Sequence, residues 1–228
     1  MARGGEQFIP RPETWRLGDP PPWRPEAGIA DLDTLVARIR RRTDTSPRAN
    51  MPMIRSEAAV LVPLSTTVDG PAVVLTKRSS NMRHHRGEIS FPGGRQDPGE
   101  SLDQTAIREA NEEIGLDPSH VSIVGRLRRL GTVTSNASIH PFVATIPHGL
   151  GFRASPAEVE SVLTVPLEEL IQPEVFREER WSDPSTGHER PLWFFELEGE
   201  TVWGATAAML FDLLRDAVEG TDDVDSSR

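Results

Sequence analysis

One stretch constrains this chain more than any other. It runs from Gly94 to Leu116 and reads Gly-Arg-Gln-Asp-Pro-Gly-Glu-Ser-Leu-Asp-Gln-Thr-Ala-Ile-Arg-Glu-Ala-Asn-Glu-Glu-Ile-Gly-Leu. A glycine-bearing turn leads into a segment with helical periodicity. Ser101 is placed to cap the helix, and Gln104, three residues on, completes a capping box. Gly115 suits the stop, because the residue just past a helix end commonly takes positive φ. Ala106, Ala110 and Ile114 recur at i, i+4 and i+8 with Ile107 beside them, so one face is built for a core. Glu109, Glu112 and Glu113 recur at i, i+3 and i+4 and share another face.

Three carboxylates this close repel one another unless something positive joins them. Arg108, four residues before Glu112, can pair with it. A hard divalent cation is the other answer, since Mg²⁺ takes oxygen ligands and shares them with substrate phosphates. Taken alone, the three glutamates read as a solvated acidic face. The whole stretch reads otherwise. Gly94, five residues, Glu100, seven residues, then Arg108-Glu109-Ala110-Asn111-Glu112-Glu113-Ile114-Gly115-Leu116 resembles the Nudix box at every fixed position. The resemblance implies a pyrophosphohydrolase that cuts a nucleoside diphosphate linked to another group, with Mg²⁺ or Mn²⁺ as cofactor. It implies Glu109, Glu112 and Glu113 as metal ligands, Glu100 nearby, and the Gly94 carbonyl as a further ligand. Arg108 would orient the glutamates. Glu112 is the first candidate for the general base and Glu158 the second, while surface carboxylates flanking a strand are the plainer reading of Glu158 and Glu160.

The segment upstream narrows the substrate. Arg78-Ser79, Arg83, Gly87 and Phe91-Pro92-Gly93-Gly94 keep the spacing of the signature that marks coenzyme A pyrophosphatases within the Nudix superfamily, and are similar to it throughout. Val74 stands where leucine is common in that pattern. The resemblance implies substrate binding by Arg78, Ser79, Arg83, Gly87 and Phe91, and cleavage of coenzyme A or acyl-CoA to 3′,5′-ADP and (acyl-)4′-phosphopantetheine. Arginines suit a polyanionic ligand, giving charge-assisted bidentate bonds to phosphate. The competing role for Arg78 and Arg83 is pairing with acids of the helix. Two readings stand beside coenzyme A: a Nudix hydrolase of ADP-ribose, NADH or a dinucleoside polyphosphate, and a non-catalytic nucleotide-binding module, which a missing box glutamate would favour.

Formal net charge is −10, which argues against broad binding of nucleic acid or acidic membranes. An anionic substrate must then be drawn in by local arginines and a metal. There is no cysteine, so thiol catalysis, thiolate metal sites and disulfides are excluded. No apolar h-region opens the chain and no run approaches membrane-spanning length, so a cytoplasmic protein is expected. A homodimer is common in the Nudix superfamily.

The expected fold is α+β: the Nudix fold, a mixed β-sheet sandwiched between α-helices. Residues 1–56 read as a Pro/Trp-rich arm plus an amphipathic helix over 29–42, with Ile29, Leu32, Leu35, Val36 and Ile39 in helical spacing. Because the arm holds Trp15 and Trp23, part of it is expected to pack on the domain or on a partner subunit. Residues 57–218 read as the hydrolase domain and 219–228 as an acidic disordered tail. Within the domain, strands are expected at Ala58–Leu64, Ala72–Thr76, Val121–Leu130 and Ile139–Ile146. Val162–Val165 and a short helix opened by Pro166 follow. Phe176–Trp181 and Pro191–Leu197 read as a hairpin turned at 183–187, and the last helix opens at Trp203-Gly204. Val133–Asn136 is a candidate site mouth, Trp203 either stacks on an adenine or is core, and His84 and His85 read as exposed loop residues.

Overall fold

The structure is a computed structural model, which describes residues 3–24, 26–42, 46, 56–80, 86–131, 137–182 and 187–219. In chain order its elements are β1 (Arg16–Leu17), α1 (Leu32–Arg41), β2 (Ser56–Thr67), β3 (Gly70–Arg78), β4 (Ile89–Ser90), β5 (Gly93–Arg95), α2 (Leu102–Ile114), β6 (Ser122–Arg126), β7 (Leu130–Gly131), β8 (Ala137–Thr145), β9 (Val159–Pro166), α3 (Leu167–Leu170), β10 (Phe176–Ser182), β11 (Glu189–Leu197), β12 (Glu200–Val202) and α4 (Gly204–Ala217). The expected α+β class and mixed sheet are present. β2 and β8 run parallel at its centre, and the other pairings are antiparallel. β2 shares one edge between two partners: β5 along Ala58–Val60 and β3 along Leu64–Thr67. That splitting leaves room for the turn after β5 to sit against the sheet.

Alternation along β2 divides the core in two. Ala59 and Leu61 point to one face, where Ala106, Ala110 and Ile114 of α2 meet Phe142 and Ala144 of β8. Val60, Val62 and Leu64 point to the other, into a larger cluster with α1, α4, Trp23 and Phe91. Helices therefore cover both faces of the sheet, as the sequence predicts.

The larger core also takes in one face of a second sheet, ordered β1-β10-β11-β12, through Phe176, Trp193, Phe195 and Leu197. The expected hairpin forms its centre, while the flanking β1 and β12 were not expected. Its other face carries a buried carboxylate. Glu179 accepts from Arg11 Nε at 2.9 Å and from Trp181 Nε1 at 2.7 Å, and pairs with Arg177. Burial of a charge on this scale is tolerated only when it is paired and bonded throughout. Arg11 belongs to the proline-rich arm, so part of that arm packs on the chain itself. Trp23, further along it, is buried and bonds the Ile171 carbonyl at 3.0 Å.

Several boundaries differ for local reasons. α1 starts three residues later than expected because Asp31 caps it, accepting from Thr34 N at 2.9 Å, and Ile29 instead bridges to Val218. The expected strand 121–130 breaks after Arg126; Leu127 N turns to the Pro141 carbonyl, and pairing resumes at β7. Pro166 ends β9 and caps α3 rather than opening its first turn. The turn residues 183–186 and the tail from 220 lie outside the described residues.

Candidate active site

α2 begins where Gln104 Oε1 accepts from Ser101 N at 3.0 Å, and ends at Gly115, whose φ is 67°. These local signals fix its rotation. With Ala106, Ala110 and Ile114 on the sheet, Glu113 and Glu109 face the strands and Glu112 faces solvent. Glu113 is 2% exposed. Its Oε2 accepts from Gly93 N at 3.2 Å, and its Oε1 lies 3.4 Å from Arg78 Nη1 on β3. Burial pushes its carboxyl up to about 7; Arg78 and the Gly93 N–H pull the other way, and Glu109 and Glu158 push further up.

Glu109 is half-buried against the turn. A Cβ on Gly94 would run into its carboxylate, so any other residue there would displace the Glu109 carboxylate from the turn. Desolvation raises the Glu109 carboxyl, Arg108 lowers it, and Glu112 and Glu158 raise it. Arg108 is the hub of the cluster. Its Nε meets Glu100 Oε1 at 2.9 Å, and its Nη1 meets Glu112 Oε2 at 2.9 Å and Glu109 Oε1 at 3.0 Å. Its Nη2 reaches the Arg95 carbonyl at 3.2 Å. Glu100 also accepts from Thr105 Oγ1 at 2.7 Å; Arg108 first and Thr105 second hold its carboxyl down to about 2. Glu158 is exposed, and its backbone carbonyl accepts from Ser79 N at 2.8 Å. Glu160 turns instead to Lys77 Nζ at 3.2 Å.

The structure thus brings Glu109, Glu112, Glu113, Glu100, Gly94, Arg108, Arg78 and Glu158 into one neighbourhood. Ser79 is buried at its edge, and Gly87 closes the base of the β3–β4 loop through Gly87 N to the Arg78 carbonyl at 3.1 Å. Phe91 is buried in the larger core. Arg83, His84, His85 and Val133–Asn136 lie outside the described residues. Trp203 is partly buried, 6.5 Å from the Trp181 ring. Lys77, Glu200 and Gln7, which border the loop, were not singled out from sequence. Their contacts span distant segments and leave no local signal.

Among the described residues no three acidic or histidine side chains converge closely enough to enclose a metal ion as they stand. Arg108 and Arg78 hold them instead. The donor chemistry nonetheless fits a hard divalent cation: carboxylate oxygens and the Gly94 carbonyl, with one carboxyl buried at a desolvation cost that a cation would offset.

Residues 55–203 match the family model for the NUDIX domain. The chain belongs to the Nudix hydrolases, which act on phosphoric anhydride bonds. It is 38% identical over 160 residues to "Uncharacterized Nudix hydrolase NudL" of Enterobacter sp. (strain 638), covering 70% of this chain and 81% of that one. It is 38% identical over 151 residues to "Nudix hydrolase 3" of Caenorhabditis elegans, covering 64% of this chain and 60% of that one. Among solved structures, a MutT/nudix family protein from Enterococcus faecalis is similar over 82% of this chain and 69% of its own, with 15% identity and a TM-score of 0.47.

Proposed function

We propose that this chain is a Mg²⁺- or Mn²⁺-dependent pyrophosphohydrolase of coenzyme A and its thioesters, releasing 3′,5′-ADP and (acyl-)4′-phosphopantetheine. One observation carries the reading: Arg78-Ser79, Arg83, Gly87 and Phe91 through Gly94 keep the signature spacing directly ahead of the carboxylate helix. Arg78 lies 3.4 Å from the buried Glu113, which is the helix-pairing role weighed against phosphate binding and keeps its guanidinium beside the carboxylates. Glu109, Glu112 and Glu113, with Glu100 and the Gly94 carbonyl, would hold the cation. When bound it supplies charge neutralisation on the pyrophosphate and a water acidified for attack on phosphorus.

The chain's own residues do the rest. Arg108 keeps Glu100, Glu109 and Glu112 aligned and takes no part in substrate contact. Arg78, the last residue of β3, and Arg83 bind phosphate oxygens of the substrate, while Ser79 and Phe91, expected as binding residues, are buried and act through packing rather than by contact. The proton leaving the attacking water passes to Glu112 or Glu158, the two solvent-facing carboxylates of the group. No helix among the described residues is long and apolar enough to cross a membrane. The net charge of −10 disfavours nucleic acid as substrate and supports an enzyme acting on a small nucleotide.

The arginines test the substrate. Removing a charge-assisted phosphate contact costs about 1.5–3 kcal/mol, or roughly 10- to 100-fold. Arg78→Ala and Arg83→Ala should each lower kcat/KM for coenzyme A on that scale while ADP-ribose turnover falls less. Equal losses on both would mean that the arginines serve the fold or the cation and not coenzyme A.

A further inference from the structure

The loop between β3 and β4 follows Arg78 directly, and both its stems are held from outside the mixed sheet. On the leading stem Lys77 Nζ meets Glu200 Oε1 of β12 at 2.6 Å. On the returning stem the Gly87 carbonyl accepts from Gln7 Nε2 of the N-terminal arm at 3.3 Å. One side chain joins the two stems, because Gln7 Nε2 also reaches Glu200 Oε2 at 3.1 Å. The same carboxamide pairs with the backbone of Thr201, donating to its carbonyl at 3.2 Å and accepting from its N–H at 3.2 Å. Gln7 thereby takes the place that a neighbouring strand would take beside β12.

The arm is anchored on both sides of this residue. Gly5 N donates to Thr201 Oγ1 at 2.9 Å, Gly4 N to the Leu197 carbonyl at 2.7 Å, and Arg11 is fixed on Glu179. Gln7 is therefore presented to the loop by a seated backbone. Its chemistry is also specific. Three acceptors crowd its amide nitrogen, which only a donor can serve, while its oxygen faces an N–H.

We propose that Gln7 is a positioning residue: the clasp Gln7–Glu200–Lys77 fixes Lys77 and Gly87, the two residues that flank and bond Arg78, and so governs affinity for the phosphates of the anionic substrate, not the chemical step. The identity of that substrate rests on the function proposed above. An arginine held in its binding position loses less freedom when the ligand arrives, so loosening the clasp around Arg78 weakens binding.

The test compares the unaltered chain with its Gln7→Ala and Gln7→Glu variants. Glutamate keeps the length of the side chain but offers no hydrogen and sets a second carboxylate against Glu200. Steady-state kinetics and amide hydrogen exchange are read on the same samples. Expected is a KM for coenzyme A raised about 5- to 10-fold with kcat within about twofold, Gln7→Glu being the worse. Exchange of the Arg78 and Gly87 amides, which close the loop's base, should quicken about 10-fold while α2 is unchanged. An unchanged KM, or kcat and KM failing together with faster exchange throughout, overturns the proposal. If the wild type leaves coenzyme A intact, the substrate reading fails by itself. KM is then read on the dinucleotide that is cut, and the exchange of the loop amides decides the clasp in either case.

Discussion

Glu113 is the residue on which the account turns. Glutamate is almost never fully buried unless it is paired, and among the described residues this one has a guanidinium at 3.4 Å and one backbone N–H. Its carboxyl, pushed up to about 7 by desolvation, lies above the ordinary value in the unfolded chain. The associated stability is full below the unfolded value of about 4.5 and is lost as pH rises through about 7. A difference of that size is worth about 3 kcal/mol. The metal-free protein should therefore melt at lower temperature as pH is raised from about 5 to about 8, and Glu113→Gln should flatten that dependence. A melting temperature with the same pH profile in both proteins would remove Glu113 as its source. A carboxylate ligand must shed its proton to bind, so apparent Mg²⁺ affinity should climb through the same window. Glu113→Gln should also cut turnover roughly 100-fold or more in a folded protein; near-normal turnover would count against its place in the site. The motif pointed to Glu113 from sequence alone. Its burial did not show there, because it depends on β3 and β5 arriving from distant parts of the chain. The reach of Arg108 was half visible: its partner at i+4 follows from helix geometry, whereas Glu100 comes back across the turn.

Among the elements, α2 was the most legible, since caps, apolar repeat and stop are all local. Gly115 makes this testable. Its φ of 67° is a conformation that costs an L-residue about 1–2 kcal/mol, and a Cβ there would lie 3.3 Å from Arg153 Cβ. Gly115→Ala should lower the urea midpoint by a corresponding amount and leave KM unchanged; an unaltered midpoint would mean that the helix end relaxes freely. The other elements show why legibility declines with range. α1 was recognised by its apolar spacing, but its first residue was set by whether Ile29 or Asp31 acts as the boundary, and that depended on Val218 far along the chain. β1 and β12 span only two and three residues. So short a strand carries no periodicity of its own and exists through its neighbour's ladder.

At the scale of the whole molecule, two sheets and three helices meet around the larger core, and that union puts Glu200 of the second sheet within reach of Lys77 at the end of β3. Individual strands, helices and the central hairpin could be anticipated from apolar spacing and turn residues, and the mixed sheet between helices from the Nudix resemblance. The strapping of the arm over Glu179 and Thr201 could not, because arginine and glutamine in a proline-rich leader look like solvated residues until their partners are known. The claim uniting all three scales is that this assembly cleaves coenzyme A at its pyrophosphate. The most direct measurement is to incubate the purified chain with coenzyme A, with Mg²⁺, with Mn²⁺ and with chelator, and to resolve the products by chromatography. Expected are 3′,5′-ADP and 4′-phosphopantetheine in equal amounts with either cation and neither product with chelator. Intact coenzyme A under every condition, beside cleavage of ADP-ribose or NADH, would contradict the substrate and leave only the family chemistry standing.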